Sequence, residues 1–183
     1  MANTDTKSTI TIRPSCAADL ENIAAVHHES FARQSHSLEW VTATANGYPR
    51  MRYFVAQCGS GIVGYVVWAE KSGFRTEVVL ELEQIAVLPT YRGQGIGRAL
   101  VGSLLDVNEA LRARGARVKA ILITTRADNH AWRLYQSALG AKVYAVITDL
   151  YSADEVIMVA AYPVAHLAKG AYDDQVDRHP VSG

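Results

Sequence analysis

Glu83-Gln-Ile-Ala-Val-Leu-Pro-Thr-Tyr-Arg-Gly-Gln-Gly-Ile-Gly-Arg-Ala-Leu100 is the stretch whose reading decides the fold. Its first residues close a long apolar run over 77–87 that carries Val78, Val79, Leu80, Leu82, Ile85 and Val87, and Pro89, which has no N–H for a ladder, ends it. A strand is expected there. Gly93, Gly95 and Gly97 then stand at alternate positions, leaving a backbone free of side chains whose N–H groups can close on an anion. The helix expected to begin there aims its positive end at the same spot. Arg92 and Arg98 add charge-assisted contacts to an anion. The same glycine spacing also serves a plain tight turn, and the loop by itself leaves that reading open.

Working outward, Leu100, Leu104, Val107 and Leu111 recur at helical spacing, and Arg112, Arg114 and Gly115 suit a helix C-terminus. Residues 118–124 form a further apolar strand. Asp128 or Asn129 starts a shorter helix through Trp132, Leu134, Tyr135 and Leu139, stopped by Gly140. Two last strands, about 142–150 and 156–161, flank a turn at Ser152-Ala-Asp154. Upstream, Ile10 and Ile12 alternate with polar neighbours before Pro14, and Ser15 can cap a helix over 18–32. A short helix over 38–45 follows, then strands over 52–57 and 62–70 joined by Cys58-Gly-Ser-Gly61. This order is a mixed α/β sheet with helices on both faces. It implies a leader over 1–8, one domain over 9–161, and a partly mobile extension over 162–183.

Composition narrows the function classes. The 183 residues are 49% hydrophobic with 18 basic and 18 acidic side chains, enough for an ordinary core and without a net field favouring nucleic acid or an anionic membrane. Cys16 and Cys58 form no CxxC pair and lack histidines at ligand spacing, so no metal site is expected and both read as buried or incidental thiols. A polar N-terminus and the lack of a run of about 18 to 20 apolar residues point to a soluble, cytoplasmic protein. The loop is not a dinucleotide fingerprint, since its third glycine comes one residue early, and it lacks the Gly-Lys-Ser/Thr of a Walker loop.

Arg92, Gly95 and Gly97 instead match the Arg/Gln-x-x-Gly-x-Gly/Ala signature of the GNAT superfamily of N-acetyltransferases. Asn129-His-Ala-Trp-Arg-Leu-Tyr135-Gln-Ser-Ala-Leu-Gly140 resembles that family's later motif, departing at Ala141, where the family usually has phenylalanine. The resemblance spans roughly residues 10–161. It implies a mostly antiparallel central sheet, acetyl-CoA as co-substrate, and direct transfer of the acetyl group to a primary amine in a ternary complex. Ile85, Ala86 and Val87 would offer main-chain groups to the pantetheine arm. Gly93, Gln94, Gly95, Ile96, Gly97 and Arg98 would hold the pyrophosphate with Arg92. Asn129 and Tyr135 would sit beside the thiol end. The acceptor wall would lie around the first helix, near His27, His28, Glu29 and His36, with Trp40, Tyr48 and Tyr151 as further candidates. A homodimer is also implied, since late strands often pair between subunits in related proteins.

The chemistry needs a neutral amine. A lysine-like amine of pKa about 10.4 costs about 4 to 5 kcal/mol to deprotonate near pH 7, an α-amine of about 7.7 to 8 only about 1 kcal/mol. Glu81 and Glu83, two apart on one strand face, are candidate bases, with Glu81 slightly favoured and Glu83 helping to hold a cationic amine. A merely solvated strand face is the alternative. Tyr135 is the candidate proton donor to the leaving thiolate. Ribosomal-protein N-terminal acetyltransferases carry a glutamate on the strand after the long helix, where this chain has Thr124, which weakens an N-terminal peptide assignment. Neither cysteine sits in a nucleophile motif, so no acyl-enzyme route is expected. The rival reading is a non-catalytic acyl-CoA-binding sensor or regulatory module.

Overall fold

The computed structural model describes residues 9–164. The leader over 1–8 and nearly all of the extension, from 165 onward, lie outside the described residues.

The chain runs β1 (Ile10–Pro14), α1 (Leu20–Ser30), α2 (Ser37–Ala45), β2 (Met51–Cys58), β3 (Gly61–Glu70), β4 (Glu77–Val87), α3 (Ile96–Gly102), α4 (Leu104–Ala113), β5 (Arg117–Arg126), α5 (Trp132–Leu139), β6 (Lys142–Ile147) and β7 (Glu155–Ala161). Short 3-10 turns at Ala17–Asp19 and Pro89–Tyr91 lead into α1 and the glycine loop. The strands form one seven-stranded sheet in the order β1-β2-β3-β4-β5-β7-β6. Among the described residues only β4 and β5 pair in parallel; every other neighbouring pair is antiparallel. A parallel pair needs a crossover, which α3 and α4 supply.

Two cores sit on opposite faces. The larger joins Trp68, Leu80, Leu82, Ile121, Ile123 and Met158 to Leu100, Leu104, Leu111, Tyr135 and Leu139 of the later helices. The smaller joins Tyr53, Val55, Tyr65 and Val67 to Ile23, Val26 and Val41 of α1 and α2. Alternate strand residues feed alternate cores, as the pleat requires.

The one helix expected after Gly97 is divided at Ser103. The Ser103 hydroxyl donates to the Leu100 carbonyl at 2.7 Å and accepts from Trp68 Nε1 at 2.9 Å. Such back-bonding competes with the helical ladder, and here it also satisfies the buried indole N–H. β6 ends three residues before the expected limit, and its edge position leaves all six of its residues exposed. Cys16 is exposed, whereas Cys58 is half-buried and packs against the larger core. Among the described residues no helix is long and apolar enough to cross a membrane.

Two ion pairs tie neighbouring elements together. Arg13 holds Asp19 through two bonds of 2.7 and 2.8 Å, and that bonding brings the Asp19 carboxyl down to about 2. Arg114, at the end of α4, grips the buried Glu70 carboxylate at 2.6 and 3.2 Å, fixing the helix against the end of β3.

Candidate active site

β4 and β5 pair from Glu77↔Arg117 to Glu81↔Leu122 and no further, although β4 continues to Val87 and β5 to Arg126. The sheet therefore splits at its centre. On the other side β4 stays bonded to β3, through Tyr65↔Ala86 and Gly64↔Val87. Beyond Glu81, the main chain of β4 consequently presents an edge toward the split with no strand among the described residues to pair it. An extended ligand bearing amides can dock on such an edge as an added strand.

A cleft of about 470 Å³ occupies the split. Ile85, Ala86 and Val87 form one wall, and Asn129, Ala131 and Leu134, leading into α5, form another. Ser30 and Phe31 close one end from α1. The Ser30 hydroxyl is buried there with no hydrogen-bond partner among the described residues.

Tyr91, Arg92, Gly93, Gly95, Ile96 and Gly97 complete the lining. Gly93 and Gly95 have φ of 75° and 81°, in the left-handed region, and a Cβ at either would meet nothing within 4 Å. Glycine is needed at both for backbone conformation rather than for space. Gly97 is different: a Cβ there would lie 3.2 Å from Leu134 Cδ2, so its role is close approach of α3 to α5.

The expected phosphate residues divide. Arg92 lies in the cleft wall and donates from Nε to the Val87 carbonyl at 2.9 Å, which ties the loop to the end of β4. Gln94 donates to the Thr90 carbonyl at 3.3 Å and Arg98 to the Ser137 carbonyl and hydroxyl at 3.3 and 2.9 Å; neither lines the cleft. Asn129 uses its Oδ1 to accept from the Ala131 N–H at 2.9 Å, which leaves its amide nitrogen as a donor in the cleft wall.

Tyr135 is 5% exposed and packs in the larger core; its helical neighbours Ala131 and Leu134 line the cleft, but Tyr135 does not. Burial pushes its hydroxyl up to about 12, so it holds its proton throughout the neutral range.

Glu81 and Glu83 lie on β4 just before the cleft. The β3–β4 register shifts between Val67↔Gln84 and Trp68↔Leu82, making Glu83 the extra residue of a β-bulge. The bulge also reverses the alternation: Leu80 and Leu82 belong to the larger core before it, while Ile85 and Val87 pack there after it and Ala86 joins the smaller one. Glu81 Oε2 is 2.8 Å from Lys71 Nζ. Glu83 keeps contact with solvent, yet burial of its surroundings, followed by the negative charge of Glu81, raises its carboxyl above the ordinary range. Lys71 and Arg50 pull it partly back.

Lys71, Ser30, Phe31, Tyr91, Ala131 and Leu134 lie at the site without having been assigned to it by the sequence reading. Lys71 had a signal, since an antiparallel return after β3 brings the residue past its end opposite the start of β4, where its N–H bonds the Val79 carbonyl at 2.9 Å. Of the histidines, His27 is fully buried with Nδ1 2.9 Å from the Ser37 hydroxyl, whereas His28 and His36 are exposed. Trp40, Tyr48 and Tyr151 are exposed. Among the described residues no group of three or more His, Cys, Asp or Glu side chains is placed to hold a metal ion.

Residues 18–141 match the model of the acetyltransferase (GNAT) family. Over 132 residues, 70% of this chain and 76% of the relative, the sequence is 31% identical to the N-alpha-acetyltransferase RimI of Mycobacterium tuberculosis. The ribosomal-protein-alanine N-acetyltransferase from Brucella melitensis superposes with a TM-score of 0.64 at 23% identity, covering 82% of this chain and 98% of that one. NAA60 of Arabidopsis thaliana, solved with acetyl-CoA, gives 0.68 at 19% identity over 84% and 99% of the two chains.

Proposed function

The chain belongs to the GNAT acetyltransferase family, and from that premise we propose that it moves the acetyl group of acetyl-CoA to a primary amine by direct attack in a ternary complex. The observation that carries the reading is the open edge of β4 at Ile85, Ala86 and Val87, ending against a glycine loop with two left-handed residues. The edge suits a pantetheine arm bearing amides. The bare N–H groups of the loop, beside Arg92, suit a pyrophosphate. The unpaired Ser30 hydroxyl and the free amide nitrogen of Asn129 give the cleft further polar groups for a ligand to engage.

Acetyl-CoA supplies the acetyl thioester. The chain's own task is to place the amine, take its proton and return one to the departing sulfur. Glu83 is the proposed base, directly or through one water, because it lies on β4 just before the cleft with its carboxyl raised above its ordinary value, while Glu81 is held by Lys71. The amine nitrogen bonds the carbonyl carbon, the carbon–sulfur bond breaks, and the amine proton passes to Glu83. Tyr135 holds a proton at Oη for the thiolate. Its place in the core, outside the cleft wall, is the one observation that favours the sensor reading.

Incubation of the purified protein with acetyl-CoA and a panel of amines, with free thiol as readout, tests the proposal. Amine-dependent thiol release supports it; tight acetyl-CoA binding without release from any amine supports the sensor. For assembly, the exposed β6 edge is the surface we assign to a homodimer, to be tested by light scattering.

A further inference from the structure

His27 is a fully buried residue of α1 that the chemistry above does not use. Three contacts tie it to both ends of the turn between α1 and α2. Its carbonyl accepts from the Phe31 N–H at 2.8 Å, and its ring centroid lies 5.0 Å from that of Phe31. Its Nδ1 is 2.9 Å from the hydroxyl of Ser37, the first residue of α2. Nε2 is buried with no hydrogen-bond partner among the described residues.

The turn between these anchors matters at both ends. His36, immediately before Ser37, has φ of 58°, a left-handed backbone that a residue with a side chain keeps only where its neighbours hold it. The bond between Ser37 and His27 lies next to that strained residue. At the other end Ser30 and Phe31 line the cleft, so a shift of Phe31 reshapes the cleft's end.

A neutral imidazole suits this setting. In either tautomer one ring nitrogen bonds Ser37 and the other is left alone. A second proton makes both nitrogens donors, and a buried charged N–H without an acceptor costs more than a neutral one. Burial accordingly holds the ring's proton affinity below the ordinary histidine value of 6.5. Gln34, within the turn, pulls it partly back, and His28 of α1 opposes the charge. Among the described residues no carboxylate acts on it from α1, the turn, α2 or the strands beneath. From α2 the contact is the neutral Ser37 hydroxyl; Arg33 and His36 of the turn are exposed, His36 lying 3.5 Å from Glu39.

We propose that His27 is a positioning residue for the acetyl-CoA site: its neutral ring binds Phe31 and the start of α2 into one unit, and protonating it frees the turn and opens the end of the cleft. This deepens the acetyl-CoA reading above and rests on it. The added N–H at Nε2 must find an oxygen, and Gln34 is the group of the turn that favours the charged ring. Drawing Gln34 in displaces the segment that carries Phe31. Acetyl-CoA affinity is then complete at pH 7.5 and is lost as pH falls below 6.5, because the ligand prefers the unprotonated form.

The test is calorimetric titration of the full chain with acetyl-CoA from pH 7.5 to pH 5. The 3′-phosphate of the cofactor also titrates at about 6, so the parent is read against His27→Gln, which keeps the ligand's response and lacks the ring's. Over this range Kd of the parent is expected to rise at least about threefold more than that of His27→Gln. His36→Asn, which tolerates left-handed backbone, is expected to keep the parent's full response. At pH 7.5 Ser37→Ala is expected to raise Kd by about two- to tenfold, because the turn loses its tie while the core keeps its packing. In NMR spectra of the free protein the Phe31 ring signals should move with the same midpoint as those of His27, a coupling that a merely structural histidine would not show. An equal acid response in parent and His27→Gln, a lost response in His36→Asn, a Ser37→Ala protein that binds like the parent, or Phe31 signals static through the His27 titration would each overturn the inference. Failure of the parent to bind acetyl-CoA at any pH would instead overturn the functional reading, and this inference with it.

Discussion

Gly64 offers a direct test of how the cofactor edge is held. It lies on β3 opposite Val87, and a Cβ built on it would stand 2.8 Å from the Ala86 carbonyl oxygen, 3.2 Å from Val87 Cγ2 and 3.3 Å from Leu100 Cδ1. The two side-chain contacts relax by small rotations. The carbonyl cannot, because it belongs to the ladder between β3 and β4. Gly64→Ala must therefore push the Ala86 backbone by roughly 0.5 Å, and overpacking of this kind costs about 1 to 3 kcal/mol. For a chain of this length each kcal/mol moves the thermal midpoint by about 2 to 4 °C, so a fall of about 2 to 12 °C is expected. The displaced strand is also the one proposed to pair with pantetheine, so acetyl-CoA affinity should drop severalfold in the folded variant. Gly61→Ala is the control, since its Cβ would meet nothing closer than the Cys58 carbonyl at 3.8 Å. Calorimetric melting and acetyl-CoA titration of both variants decide the matter. A Gly64→Ala protein as stable and as tightly binding as the parent would refute the reasoning.

Three further outcomes are expected. If Glu83 is the base, the acid limb of kcat/KM lies above the ordinary glutamate range, disappears in Glu83→Gln, and moves higher in Lys71→Met, because Lys71 holds the Glu83 carboxyl down; pH–rate profiles of the three proteins check it. Tyr135→Phe should lower turnover far more than acetyl-CoA affinity, and equal turnover in variant and parent would remove the proton-donor role. Asp19, whose folded carboxyl lies at about 2 against an unfolded value of 3.8, contributes stability that is present above 3.8 and lost as pH falls toward about 2. In urea melts Asp19→Asn should cost about 2 kcal/mol at pH 7, with the difference shrinking across that acid window.

The residues that carried the sequence reading are those whose local chemistry admits few alternatives. Gly93 and Gly95 adopt left-handed backbone, Arg92 lies in the cleft wall, and the element order from β1 to β7 follows from apolar period and turn residues. What escaped depends on tertiary context. Nothing near Glu83 in sequence announces a bulge, yet it reverses which residues face which core. Nothing in the period of residues 96–113 announces a break at Ser103, because its cause is an indole 35 positions away. Arg98 looked like a phosphate ligand by its place in the motif, and the structure has it bonded to Ser137 across α5. Tyr53 falls within the strand expected over 52–57, and its unpaired hydroxyl is visible only once its neighbours are in place.

The central claim, that the glycine loop and the open edge of β4 form an acetyl-CoA site, is tested most directly by calorimetric titration of the purified protein with acetyl-CoA, with NAD and ATP as controls. The account predicts saturable binding of acetyl-CoA alone, weakened by a negative charge at the loop in Gly95→Asp. Absence of acetyl-CoA binding, or equal binding of NAD or ATP, would contradict it.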